Sequence, residues 1–240
     1  MIAMKKRIWE LDVFRGICIL GVIAVHFVYD MVELYRLVQW DYPALFSFIK
    51  DWGGVLFLLL SGTCVTLGSR SVRRGLIVFG CGLVITAVTV AMYKLGIFNR
   101  SIIIYFGVLH CLGICMLLWP LFKKLPWWAL LVIGAALTAL GLWLRLQPWV
   151  DHYWLMVVGL PWHGFASSDY FPLLPYLGFF LLGAALGKTL YRRKESLMPN
   201  VNTKNIFIRF FSFCGRQSLW LYLLHQPLIS GIFYLILLAK

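Results

Sequence analysis

One apolar stretch near the start of the chain, ELDVFRGICILGVIAVHFVYD (residues 10–30), carries two aspartates, an arginine and a histidine. At about 100° per residue, Asp12 to Arg15 is a step of about 300°, Arg15 to His26 closes to about 20°, and His26 to Asp30 to about 40°. Asp12, Arg15, His26 and Asp30 therefore share one helix face. A rise of about 1.5 Å per residue puts Arg15 and His26 about 16 Å apart along the axis. Asp30, one turn beyond His26, is placed to accept from the imidazole and fix its tautomer, which suits a general base. Arg15 offers a rigid fork of donors to a phosphate. The plainer uses are an ion pair with Asp12 for Arg15 and a hydrogen-bonded helix contact for His26. His110 in YFGVLHCLG and His225 in LWLYLLHQP also fall within apolar stretches. They can supply electrostatics or proton transfer, or simply interhelical hydrogen bonds worth about 0.6 kcal/mol each. The three histidines show neither i, i+4 pairing nor supporting outer ligands, so no metal is expected.

The element that must position these groups is set by composition. The chain has 240 residues, of which 62% are hydrophobic and 13% charged, far from a soluble average. Runs of about 18 apolar residues suffice to cross a bilayer, and the pattern recurs. Seven spans are expected, at 13–32, 52–68, 75–92, 101–122, 127–146, 171–190 and 218–238. The fold class is all-α, a polytopic transmembrane helical bundle of about seven spans, read as a single domain over 1–240. The first span is not a cleavable signal, because Asp12 and Arg15 interrupt its start and no small-residue cleavage site follows. A charged side chain in hydrocarbon costs about 2.5–3.5 kcal/mol on insertion scales, so the polar face of the first span must look into the bundle.

A net charge of +13 would point to nucleic acid in a soluble domain, but its placement argues otherwise. Fifteen cations fall on one side of the expected spans: Lys5, Lys6, Arg7, Arg70, Arg73, Arg74, Lys123, Lys124 and the seven from Lys188 to Arg216. Six fall on the other: Arg36, Lys50, Lys94, Arg100, Arg145 and Lys240. The positive-inside rule then puts the N-terminus in the cytoplasm and the basic residues against anionic membrane lipids, with no nucleic-acid partner. The six cysteines, Cys18, Cys64, Cys81, Cys111, Cys115 and Cys214, lack metal or disulfide spacing and read as packing residues. Two connections are long. Residues 147–170 fall outside, with Asp151, His152, His163 and Asp169, and residues 191–215 read as a cytoplasmic polar linker. Small residues at 80–82, 134–136 and 178–187 suit close helix approach.

The spacing from Arg15 to His26 resembles the first-helix motif of acyltransferase-3-type membrane enzymes. Over nearly the full chain, five segments in order resemble the bacterial proteins grouped with the catalytic domain of heparan-alpha-glucosaminide N-acetyltransferase: LDVFRGICILGVIAVHFVYD, GVLFLLLSGTCVTLG, FGVLHCLGIC, DYFPLLPYLGFFLLGAALG and GRQSLWLYLLHQP. The resemblance implies transfer of an acyl group, usually acetyl, from cytoplasmic acetyl-CoA (acyl-CoA) as co-substrate to a hydroxyl or amine of a glycan or small-molecule acceptor outside, in a bacterial inner membrane. An acyltransferase built on the residues of this chain would use His26 as base oriented by Asp30, with His110 and His225 assisting. Donor phosphates fall to Arg15 with Asp12, and to Arg70, Arg73, Arg74 and Arg216. The acceptor side falls to His163, Asp169 and Tyr170. The larger eukaryotic relatives have more spans, so a homodimer is one way to complete the site. Their catalytic histidine follows the first helix, where this chain has VELYRLVQWDYPALFSF and no histidine. His26, His110, His152 or His163 must stand in.

The competing expectation is a proton-coupled transporter or a lipid or glycan flippase with the histidines as relay, although no repeat of broken helices marks two corresponding halves. A retinal-type receptor is excluded, since the last span has no lysine for a Schiff base.

Overall fold

A computed structural model of the chain describes residues 7–238, with side chains through 237. Lys5, Lys6 and Lys240, which enter the charge count, lie outside the described residues. Among the described residues eight α-helices follow in order: α1 Trp9–Tyr29, α2 Ala44–Val65, α3 Ser71–Lys94, α4 Val108–Phe122, α5 Trp127–Leu144, α6 Leu173–Leu190, α7 Ile206–Arg216 and α8 Ser218–Leu238. Helices are the required form here, because hydrocarbon offers no partner to an unbonded backbone amide or carbonyl. Among the described residues six segments are long and apolar enough to cross a membrane: Trp9–Leu34, Ala44–Leu67, Ser71–Lys94, Trp127–Leu144, Leu173–Leu190 and Ser218–Leu237. The protein is thus an all-helical, multi-pass membrane protein, with no strand among the described residues.

Two expectations need correction. The span expected at 101–122 is helical only from Val108. Before it, Arg100–Ile102 forms a 3-10 turn and the chain then runs extended to Gly107. Consecutive isoleucines are stiff at χ1 and favour extended backbone. Hydroxyls satisfy the exposed peptide groups instead. Thr86 Oγ1 donates to the Ile104 carbonyl (2.6 Å), Ile104 N donates to Thr89 Oγ1 (3.1 Å), and Ser167 and Ser168 donate to the Ile103 and Ile102 carbonyls (2.9 and 2.8 Å). The second correction is at 191–215, expected as a polar linker. From Ile206 it is helix α7, capped by Asn205, whose side chain accepts from Phe207 N at 2.9 Å.

The chain groups into two compact units, Met1–Phe57 with Arg193–Lys240, and Leu58–Arg192. In the first unit α1 and α7 touch backbone to backbone. A Cβ at Gly16 would strike the Phe211 carbonyl, and one at Gly215 the Asp12 carbonyl. The start of α1 is tied down by Glu10, which accepts from Ser196 Oγ (2.8 Å) and Leu197 N (2.7 Å). In the second unit the end of α2 packs on α6 through Gly62 and Gly183, α3 lies on α4, and α5 on α6 through Gly134 and Gly178. Arg145 adds a bond from α5's end to the Tyr176 hydroxyl of α6 at 2.9 Å. The close approach expected of 134–136 and 178–187 is present, and of 80–82 it is present at Gly82, which packs on the His110 ring, but not at Gly80, which has nothing within 4 Å of where a Cβ would stand.

Candidate functional site

The first unit gathers six of the predicted groups: Asp12, Arg15, His26, Asp30, Arg216 and His225. On α1 the exposed stripe runs through Phe14, Ile17, Gly21, Ala24 and Phe27, and Asp12, Arg15, His26 and Asp30 lie off it. Arg15 approaches Asp12 at 3.6 Å, the ion pair that the sequence offered as the plainer use. Arg15 and Arg216 each neighbour one of the crossing glycines, Gly16 and Gly215, so α1 and α7 carry cations to the same end of their contact.

At the other end of α1 stand the histidines. The His26 and His225 rings meet edge to face with centroids 5.0 Å apart. His225 is 7% exposed, and its Nδ1 lies 2.5 Å from the Tyr222 carbonyl. A carbonyl can only accept, so Nδ1 carries the proton and Nε2 keeps its lone pair. That Nε2 is buried and has no hydrogen-bond partner. Asp30, only 1% exposed, does not orient His26 as its spacing predicts. It accepts instead from Gln226 Nε2 at 2.7 Å, while the Gln226 Oε1 is buried and unpartnered. Two orphaned polar atoms on consecutive residues of a protein interior are uncommon, because each costs about 1–3 kcal/mol when left unbonded. The backbone also departs from regularity here. Asp30–Leu34 continues α1 as a π-helix, a rare form that is frequent at functional sites. In α8, Pro227 supplies no amide for the Leu223 carbonyl one turn back.

His110, in the second unit, is differently placed. Its Nδ1 accepts from Gly107 N at 3.2 Å, so a neutral ring carries its proton on Nε2, 3.3 Å from Thr86 Oγ1. Both nitrogens are committed, and no lone pair remains to take a proton. Asp169 Oδ2 accepts from Val108 N at 3.0 Å. The two residues therefore cap the N-terminus of α4, where orphan amides and the helix dipole favour acceptors. Replacing His110 by alanine should lower the melting temperature, with a loss of about 1–3 kcal/mol for the groups left unbonded, while folded protein keeps its activity. A folded His110→Ala protein without activity would return His110 to the chemistry.

The remaining predicted residues separate. Tyr170 donates to the Met156 carbonyl at 2.6 Å. Burial, countered by the Arg145 cation, pushes its hydroxyl above the ordinary phenol range and keeps it a donor. His163 lies at the surface, 3.2 Å from Asp151. Arg74 folds toward Gly68, while Arg70 and Arg73 line a cleft with Lys123. Gln226 and Tyr222 are the site residues that sequence reasoning missed. The available signal was a glutamine beside a histidine in an apolar span, which a search for ionisable groups passes over. Among the described residues no group of three His, Cys, Asp or Glu is arranged to hold a metal.

Residues 7–227 match the family model described as heparan-alpha-glucosaminide N-acetyltransferase, catalytic. Comparison with curated proteins and with solved structures returns no match.

Proposed function

This chain belongs to the heparan-alpha-glucosaminide N-acetyltransferase catalytic family, a multi-pass membrane protein of acyltransferase type, and from that premise we propose that it moves an acyl group, in the first instance acetyl, from cytoplasmic acyl-CoA to a sugar hydroxyl or amine across a bacterial cytoplasmic membrane. The observation that carries the proposal is the His26–His225 pair, ring centres 5.0 Å apart, together with the buried, unbonded Nε2 of His225 and Oε1 of the next residue, Gln226. Those orphaned atoms fit a polar acceptor group that enters to satisfy them.

The thioester supplies an activated carbonyl and a stable leaving thiolate. His26, half buried, accepts the proton of the acceptor O–H or N–H as the nucleophile attacks. His225 keeps a lone pair 5.0 Å away in ring-centre terms, so the pair shares the incoming proton before it passes to the leaving thiolate. The Gln226 amide, fixed by Asp30, turns its carbonyl oxygen to a donor on the acceptor. Arg15 and Arg216 hold donor phosphates, a task that suits a guanidinium fork. The axial separation of Arg15 and His26, about 16 Å, is of the order an extended thioester arm must span.

The test is to incubate purified protein with radiolabelled acetyl-CoA and a panel of glycans. Acetylated glycan is expected. No transfer, together with no coenzyme A binding by calorimetry, would remove the proposal. Proton-coupled solute flux in proteoliposomes, without transfer, would favour a transporter.

A further inference from the structure

Among the second unit's residues a cleft of about 450 Å³ opens between the α2–α3 connection and the end of α4, lined by Gly68, Ser69, Arg70, Ser71, Val72, Arg73, Trp119, Pro120 and Lys123. Three of these are cations. From residue 52 to residue 150 the sequence contains no aspartate or glutamate. None of the three cations has an acidic partner among the described residues. Arg70 stands at the N-cap of α3 without a side-chain cap, so the first amides of a 24-residue helix add their partial positive charge to the same wall. Ser69 and Ser71 bring hydroxyls. The neighbouring cation Lys188 is already engaged elsewhere, donating to the Lys123 and Leu125 carbonyls at 2.7 and 2.5 Å.

The chemistry of the walls asks for a phosphate, and what surrounds the cleft says which kind. Val72, Leu76 and Leu83 fall within about 40° of one another on α3 and are 45%, 59% and 52% exposed, forming an apolar stripe that leads away from the cleft. Leu121, beside Pro120, is 73% exposed. A headgroup phosphate in the cleft would let its acyl chains run down this stripe. A nucleotide finds less. Trp119, the one aromatic ring of the lining, is 5% exposed and has the Lys188 ammonium 5.8 Å from its centre, so no open ring face remains for a base.

We propose that the cleft formed by Arg70, Arg73 and Lys123 at the head of α3 is a specific site for the phosphate of an anionic phospholipid, whose acyl chains lie along Val72, Leu76 and Leu83. The site stands apart from the acyl-transfer reading and takes Arg70 and Arg73 out of the donor set.

The test uses full-length protein in nanodiscs of phosphatidylcholine mixed with phosphatidylglycerol, released and weighed by native mass spectrometry. One phosphatidylglycerol is expected to stay bound in preference to phosphatidylcholine. The Arg70→Ala/Arg73→Ala variant should reduce its retention about tenfold or more, given roughly 1 kcal/mol for each cation near an anionic surface. Lys123→Gln, at an exposed residue, should give a smaller loss in the same direction. Thermal melting establishes that each variant is folded. Equal retention of both lipids, or unchanged retention in folded variants, would overturn the site. So would displacement of the lipid by coenzyme A, but not by dephospho-coenzyme A, since the cleft would then belong to the nucleotide's phosphate.

Discussion

Converting His26 to glutamine slows acyl transfer by about 10²–10⁴-fold, the range a positioned general base supplies. The same change at His225 has an effect of similar size, although His225 is buried and His26 is not. The reason is that neither ring works alone. His225 is held in one tautomer by the Tyr222 carbonyl, its ring meets that of His26, and its Nε2 carries no partner. If the pair handles one proton, the double variant is no slower than the slower single variant, since residues acting as a unit are not additive. Single-turnover rates with radiolabelled acetyl-CoA measure all three. Rates within about threefold of the unaltered protein for either single variant, or strictly multiplicative losses in the double, would break the shared-proton assignment. Gln226→Leu should act more mildly and chiefly on acceptor affinity, because it removes an orienting amide rather than the base.

The bundle was legible because hydropathy reports span length directly, and the face shared by Asp12, Arg15, His26 and Asp30 was legible because helical periodicity is geometry. The partners of those residues were not. Asp30 lies one turn from His26 in sequence, yet it bonds to Gln226, 196 residues away. No local pattern encodes a contact between α1 and α8. His110 looked like His26 by the same criterion, a histidine in an apolar run, and only its bonds to Gly107 and Thr86 separate a capping residue from a base. The fourth span was overread for a related reason. Hydropathy counts Ile102, Ile103 and Ile104 as membrane-spanning, and it is blind to the hydroxyls of Thr86, Thr89, Ser167 and Ser168 that let this stretch leave the helix. Helix α7 was missed because its eleven residues are too few for a span and follow a polar run, although the Asn205 cap marks its start.

The same substitution should have opposite signs at two glycines of the second unit. Gly80→Ala on α3 is silent or slightly stabilising, since nothing lies within 4 Å of the new methyl and alanine is better than glycine in a helix by about 0.8–1.0 kcal/mol. Gly183→Ala on α6 is strongly destabilising. Its methyl would collide with the Leu59 carbonyl and sit 2.8 Å from the Leu59 Cα, and these are backbone atoms that cannot rotate away. The facing Gly62 is in the same position against the Phe180 carbonyl, so the two helices approach as closely as their backbones allow. The hydroxyl of Thr63 depends on that approach too, donating to the Gly183 carbonyl across the interface at 2.9 Å. Overpacking a tight contact costs about 1–3 kcal/mol, and forcing α2 and α6 apart also loses the threonine bond. Gly183→Val should therefore yield little monodisperse protein in detergent, and Gly183→Ala a melting temperature well below that of Gly80→Ala. Equal melting temperatures for the two alanine variants would mean that the α2–α6 contact is not the one that holds this unit together.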